Sequence, residues 1–363
     1  MSTLEEITLR RPDDWHLHLR DGEVLGDTVA ASAATVGRAL VMPNLQPPIV
    51  NVEMALAYRD RILKALERSA PPRVANNNSF KPLMALYLTD HTSRETVVAA
   101  ARAQEVLAFK LYPAGATTHS EDGVTDIGRC TEALEEMEKQ GVVLCIHGEV
   151  TDSAVDVFDR EAVFIDRVLI PLRKRFPGLR IVLEHLTTAQ AVAYVQEAEG
   201  DIAATITPQH LLLNRNSLFQ GGLRPHAYCL PVLKRERHRQ ALVGAATSGN
   251  PRFFMGTDSA PHSQARKEVD CGCAGCFTAP YAIALYAKAF EEANALERLD
   301  DFCSSHGADF YQLPRGTEMV RLRREPQVVA DQWPFGGQRV IPLLAGTRLE
   351  WSLIASESAR PFA

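Results

Sequence analysis

At 363 residues, with 46% hydrophobic and 23% charged side chains, the chain can bury a large core and is expected to be globular. A net charge of -6 argues against nucleic acid or an anionic membrane surface as partner and leaves a small polar ligand as the better fit. The sequence lacks a basic segment followed by an apolar stretch and any run of about 18 apolar residues, so no signal peptide and no membrane span are expected, and the expected location is cytoplasmic.

Taken in order, short apolar runs alternate with longer segments of helical periodicity, the pattern of repeated βα units around a parallel sheet. Eight runs are predicted as strands: the one ending at His16-Leu17-His18, then 39–42, 83–88, 108–112, 142–147, 181–185, 202–206 and 253–258. Between them, apolar spacings of three and four predict helices at 52–68, 127–139, 161–176, 189–199 and 280–296. Eight parallel strands predict an α/β fold, a closed (β/α)8 TIM barrel, and the length suits one such domain over 1–363. Two stretches, 113–126 and 214–231, are predicted as long loops at the barrel mouth, where such loops usually carry function. From about Leu313 the chain reads as an irregular segment packed on the barrel, with a candidate strand at 340–344. Seven cysteines, an odd number, fit reduced thiols rather than a disulfide framework.

Chemistry in such a barrel gathers at the C-terminal ends of the strands. The polar residues that end the apolar runs are His16, His18, Asn44, Lys110, His147, His185 and Asp258. Side chains two apart share one face of a strand, so His16 and His18 can hold one metal ion between them. Taken singly, His147 or His185 could be a core imidazole bonded to a carbonyl, and Asp258 could cap a helix. Taken together, four histidines, a lysine and an aspartate at equivalent positions point to a metal site. Lys110 lies inside an apolar strand, where burial favours the neutral amine. A neutral amine can add carbon dioxide to form a carbamate with two oxygens able to bridge two cations; the competing expectation is an ammonium paired with Glu184 or Asp258.

The motifs Pro12-Asp13-Asp14-Trp15-His16-Leu17-His18-Leu19-Arg20-Asp21, Val41-Met42-Pro43-Asn44, Lys110-Leu111-Tyr112-Pro113, His147-Gly148-Glu149-Val150, Thr207-Pro208-Gln209-His210 and Gly256-Thr257-Asp258-Ser259-Ala260-Pro261-His262 carry a resemblance. From about Arg11 onward the chain resembles the dihydroorotase family of the amidohydrolase superfamily, in its short bacterial single-function form. The resemblance implies a binuclear zinc site, usually in a homodimer. His16, His18 and Asp258 would bind one zinc, His147 and His185 the other, with N6-carboxylated Lys110 and a hydroxide bridging both. It further implies that Arg20, Asn44 and His262 hold a substrate carboxylate, that Leu230 and Ala274 offer backbone groups to the substrate ring, and that Thr117 and Thr118 form the tip of a mobile loop. The implied reaction is the reversible cyclisation of N-carbamoyl-L-aspartate to L-dihydroorotate and water in de novo pyrimidine synthesis, with Asp258 carrying the proton.

Two other functions compete. Another cyclic amidase, such as a hydantoinase, would share the metal ligands, but the Arg20, Asn44 and His262 set anticipates a carboxylate on the ring. A catalytically silent barrel scaffold would be expected to lack one of the ligands. Cys271, Cys273 and Cys276 have tempting spacing, yet no second cysteine pair lies nearby to complete a thiolate zinc site, and a tight loop of reduced thiols is expected.

Overall fold

The computed structural model describes residues 5–69 and 80–354. Strand β1 (Glu6–Arg10) precedes eight strands that pair in parallel in sequence order: β2 (Asp13–Leu17), β3 (Arg38–Val41), β4 (Lys81–Leu88), β5 (Val106–Leu111), β6 (Val143–Ile146), β7 (Ile181–Leu183), β8 (Ile202–Ile206) and β9 (Phe253–Met255). These are the eight expected runs, each ending one to three residues earlier than its apolar pattern or at the same residue. The ring closes just beyond β9. There the Asp258 N–H donates to the His16 carbonyl at 2.9 Å and the His18 N–H to the Ser259 carbonyl at 3.2 Å.

Period-two alternation divides the strand residues between two cores. Leu40, Ala85, Ala108, Cys145, Val182, Ala203 and Phe254 join an inner cluster, whereas their neighbours Val41, Leu86, Phe109, Leu144, Leu183, Ala204 and Phe253 pack in the larger outer one, against the helices. Helices follow the strands at Leu25–Ala33, Val52–Ser69, Arg94–Arg102, Thr131–Gln140, Ala189–Glu197, Glu236–Thr247 and Ala282–Glu292. The segment predicted as one helix at 161–176 runs from Arg160–Phe164 through a π-helical turn at Ile165–Leu169 into Ile170–Arg175. Side-chain caps start several helices where polar residues interrupt the apolar runs: Ser93 accepts from the Thr96 N–H, Thr188 from Ala191 and Thr207 from His210.

The short helix His306–Phe310 closes the N-terminal end of the barrel. Tyr311, next to it, stacks on Trp15 with ring centroids 4.5 Å apart and planes 12° from parallel. A Cβ at Gly307 would lie 2.0 Å from the Trp15 indole nitrogen, so only glycine allows this approach.

The segment beyond Leu313 is more ordered than expected. It contains β10 (Met319–Arg323), β11 (Gln327–Val328), β12 (Trp333–Phe335), β13 (Gln338–Val340), β14 (Arg348–Leu349) and β15 (Ser352–Ile354). β10 lies between β1 and β15 in an antiparallel sheet, and the strand expected at 340–344 ends at Val340 instead. These strands are two to five residues long, too short for much alternation, and β10 pairs with β1 at the other end of the chain, although β12 and β13 form a hairpin across Gly336-Gly337. Of the expected loops, 113–126 has no helix or strand, and 214–231 holds 3-10 turns at Arg215–Leu218 and Pro225–Ala227. Among the described residues no helix is long and apolar enough to cross a membrane.

Candidate active site

Alternation delivers most of the polar residues to one mouth. Ala108 faces inward and Phe109 outward, so Lys110 and Tyr112 continue the inward series, and Leu40 and Met42 extend likewise to Asn44. Val143 and Cys145 lead to His147, and Phe254 leads through Gly256 to Asp258. His185 departs from the rule. Val182 and Glu184 hold the inward parity, and a regular strand would turn the next residue outward. Its backbone is left-handed, φ 45°, and its ring lies 5.1 Å from that of His16 and 4.8 Å from that of His147. Asp258, φ 45°, and Arg20, φ 61°, share this uncommon conformation, which surrounding structure must enforce in side chains other than glycine.

The side chains converge closely. The Nε2 atoms of His16 and His18 are 3.2 Å apart, and Asp258 Oδ1 lies 3.4 Å from the first and 3.1 Å from the second. On the other side of its ring, His16 Nδ1 is 3.0 Å from Glu184 Oε1. Two sets of three buried ligand atoms therefore form, one from His16, His18 and Asp258 and the other from His16, Glu184 and His185. Burial, followed by the charge of Lys110, pushes the His16 and His185 imidazoles well below their ordinary pKa, leaving both neutral with lone pairs to give. His185 Nδ1 has no hydrogen-bond partner, an arrangement that is costly without a ligand. A buried, neutral-imidazole and carboxylate donor set with an unsatisfied atom fits a first-row divalent cation such as zinc.

Lys110 Nζ rests against Glu184 Oε2, the pairing anticipated as the alternative to a carbamate. Burial pushes the amine down to about 7, so a substantial neutral fraction exists near neutral pH, the form that reacts with carbon dioxide. His147 stands outside both triads, beside His185, with its Nε2 bonded to Glu149 Oε2 at 2.7 Å. That bond turns Nδ1 into the nitrogen left for a ligand. Behind the site, Asp14 accepts from the Thr257 hydroxyl at 2.5 Å, the Thr257 N–H at 2.9 Å and the His16 N–H at 3.1 Å. It thereby ties the His16 strand to the Asp258 turn. Burial pushes Asp14 up to about 7 in spite of these bonds.

A small cavity lies over this cluster. Arg20, Asn44, Thr117, Thr118, Leu230 and Ala274 all line it together with the imidazoles and Asp258. His262 is set back from the cavity wall and meets Arg20 instead, its Nε2 3.0 Å from the guanidinium. Burial and the Arg20 charge push that imidazole down to about 2, so it is neutral. The loop carrying Thr117 and Thr118 is docked: Asn44 donates to the Thr118 carbonyl at 3.2 Å and the Thr117 N–H to Ser120 Oγ at 2.9 Å. Three residues given no role in the sequence reading also reach the site: Tyr112, whose buried hydroxyl has no partner, and Glu149, both inside the quoted motifs, and Gly275, outside them. The inward parity of Lys110 was signal enough for Tyr112, and that of His147 for Glu149; nothing local marks Gly275. All seven cysteines are free, and the metal-ligand clusters found among the described residues do not include Cys271, Cys273 or Cys276.

Comparison with known proteins bears on this geometry. The amidohydrolase family model matches residues 14–321. A dihydroorotase of Teredinibacter turnerae is 58% identical over 347 residues, covering 96% of this chain and 98% of that protein. Among solved structures, a dihydroorotase from Campylobacter jejuni is 33% identical with a TM-score of 0.86, over 97% of this chain and 99% of that one. A dihydroorotase from Saccharomyces cerevisiae in complex with 5-fluoroorotic acid is 32% identical with a TM-score of 0.85, with the same coverage.

Proposed function

We propose, from the premise that the chain belongs to the amidohydrolase family and within it to the dihydroorotases, that its site interconverts L-dihydroorotate and N-carbamoyl-L-aspartate. The chain is a hydrolase acting on a cyclic amide. The observation that carries the substrate reading is one cavity with Arg20 and Asn44 in its wall and the His16, His18 and Asp258 cluster beside them.

In this reading His16, His18 and Asp258 would hold one zinc ion and His147 and His185 a second, with carboxylated Lys110 as a further ligand. When bound, the metal pair supplies Lewis-acid polarisation of a carbonyl and a water acidified to near neutrality. The chain's own groups do the rest. Arg20 presents a planar fork to the substrate carboxylate, with Asn44 beside it and neutral His262 as a further hydrogen-bonding group. Backbone groups of Leu230 and Ala274 meet the ring. Asp258 accepts a proton from the attacking water and returns it to the ring nitrogen as the C–N bond breaks; in closure it takes a proton from the ureido nitrogen and water departs. Thr117 and Thr118 close the cavity from the loop side and exclude bulk water. The reading extends to one catalytic domain over 1–363, a homodimer, a cytoplasmic location and a role in pyrimidine synthesis, supported by the likeness to the dihydroorotases. A hydantoin lacks the carboxylate that Arg20 anticipates, and a silent scaffold would have no use for an intact ligand set.

The test is hydrolysis of L-dihydroorotate, followed by loss of its ultraviolet absorbance, before metal removal, after it and after zinc is restored. Turnover is expected to vanish and return. A fully loaded protein that leaves dihydroorotate intact overturns the reading.

A further inference from the structure

Part of the cavity wall comes from two segments far apart in sequence, one ending Tyr228-Cys229-Leu230 and the other Cys273-Ala274-Gly275. The Gly275 N–H donates to the Tyr228 carbonyl at 3.0 Å. Behind both lies Lys267, 3% exposed, at the end of the short helix Gln264–Lys267. Its Nζ donates to the Tyr228 carbonyl at 3.1 Å, the Cys273 carbonyl at 3.0 Å and the Gly275 carbonyl at 2.5 Å. An ammonium has three protons, and each is used on a backbone carbonyl of these two segments.

A buried charge is costly unless compensated, and a side chain that served only to fill space here would be apolar. The compensation comes from carbonyl dipoles that belong to the segments bearing Leu230 and Ala274. The second segment is also wedged in place: at Gly275, φ 145°, a Cβ would come within 2.3 Å of the Ala260 carbonyl oxygen and 3.2 Å of the His262 ring. Whatever displaces Gly275 therefore also disturbs the neighbourhood of the His262 that meets Arg20.

We propose that Lys267 is a positioning residue for substrate. Its ammonium sets the separation and tilt of the Leu230 and Ala274 backbones, and so the fit of the ring between them. The proposal rests on the reading of the cavity as a dihydroorotate site. The hydrogen bonds of the Lys267 ammonium go to the Tyr228, Cys273 and Gly275 carbonyls and not to His16, His18 or Asp258, so its loss acts on substrate affinity while the metal-binding groups stay as they are.

Steady-state kinetics on L-dihydroorotate and zinc content are measured for the unsubstituted protein, Lys267→Met and Lys267→Ala. Expected is a KM raised about tenfold or more with kcat changed less than about threefold, at unchanged zinc content, the mark of lost ground-state binding. Propylammonium, which supplies the missing ammonium and stem, is expected to lower the KM of Lys267→Ala and to leave the unsubstituted KM alone. If both variants fail to fold, Lys267→Arg carries the test, since the larger guanidinium keeps the charge and forces the three carbonyls apart: a raised KM supports the proposal. A folded variant with unchanged KM overturns it while leaving the dihydroorotase reading standing. An unsubstituted, zinc-loaded protein without turnover overturns both.

Discussion

The two ends of the barrel are built from the same eight strands to opposite purposes. At the N-terminal end Trp15, Phe254 and Tyr311 fill the interior, stacked or edge to face, with Ala308 among them. At the C-terminal end the interior holds imidazoles, carboxylates, a buried lysine and a small cavity. Left-handed backbone at Arg20, His185 and Asp258 lies at the second end. The neighbours Trp15 and His16 make the division plain, one residue serving the floor and the next the mouth. The contrast teaches that stability and chemistry are separated along the strand axis, with strain and desolvated charge at the mouth offset by close packing at the floor.

That separation can be broken or sharpened by substitution. The largest effect is expected at the mouth: Asp258→Asn should lower kcat on dihydroorotate by roughly 10²–10⁴-fold, the usual reach of a proton-transfer group, with the melting midpoint little changed. A midpoint that fell in step with kcat would erase the distinction between the two ends. Next comes the floor, where Trp15→Ala should cost about 3–5 kcal/mol of stability in denaturant unfolding, while the folded fraction keeps its kcat/KM. Activity lost in a still-folded Trp15 variant would show the floor to be part of the chemistry. The smallest effect is expected outside the barrel, at Glu236. Its half-exposed carboxylate is held down to about 2 by hydrogen bonds from Arg239 first and Asn214 second. A folded-state pKa below the ordinary 4.5 means that the contribution to stability is present above pH 4.5 and fades as the pH falls towards 2. Midpoints of the unsubstituted protein and of Glu236→Gln, compared across that range, should therefore differ slightly above pH 4.5 and converge below it; a constant gap would refute the assignment.

The barrel and much of the site were legible because both depend on period-two alternation. Lys110 stood out as a charge within an apolar strand, and Asn44, His147 and Asp258 continue inward series that apolar residues begin. His185 was legible as a polar strand end, although the backbone twist that turns it inward leaves no mark in the sequence. Glu184 was foreseen as the partner of Lys110 and not as part of a ligand set with His16 and His185, because that requires knowing that β7 and β2 face each other across the barrel. Lys267 could not be found at all. Its partners are backbone carbonyls, which every residue has, so no residue type announces the contact. β10 was missed for a related reason: its partner β1 lies at the other end of the chain, Glu6 and Arg323 being 317 residues apart, while β11 to β15 were missed or misplaced because they are only two or three residues long.

The seal that Tyr311 and Gly307 place under Trp15 also sets an order of events at the ribosome. Chains are made from the N-terminus and fold as they emerge. Trp15 is synthesised long before the surface that covers it, which leaves the exit tunnel only after β9 has been made. Until then the nascent barrel is open at its base with an indole exposed, and β1 waits unpaired for β10. This protein is therefore finished from its last segments, and a ribosome stalled shortly before residue 306 would present chaperones with a barrel complete in strands but lacking its base.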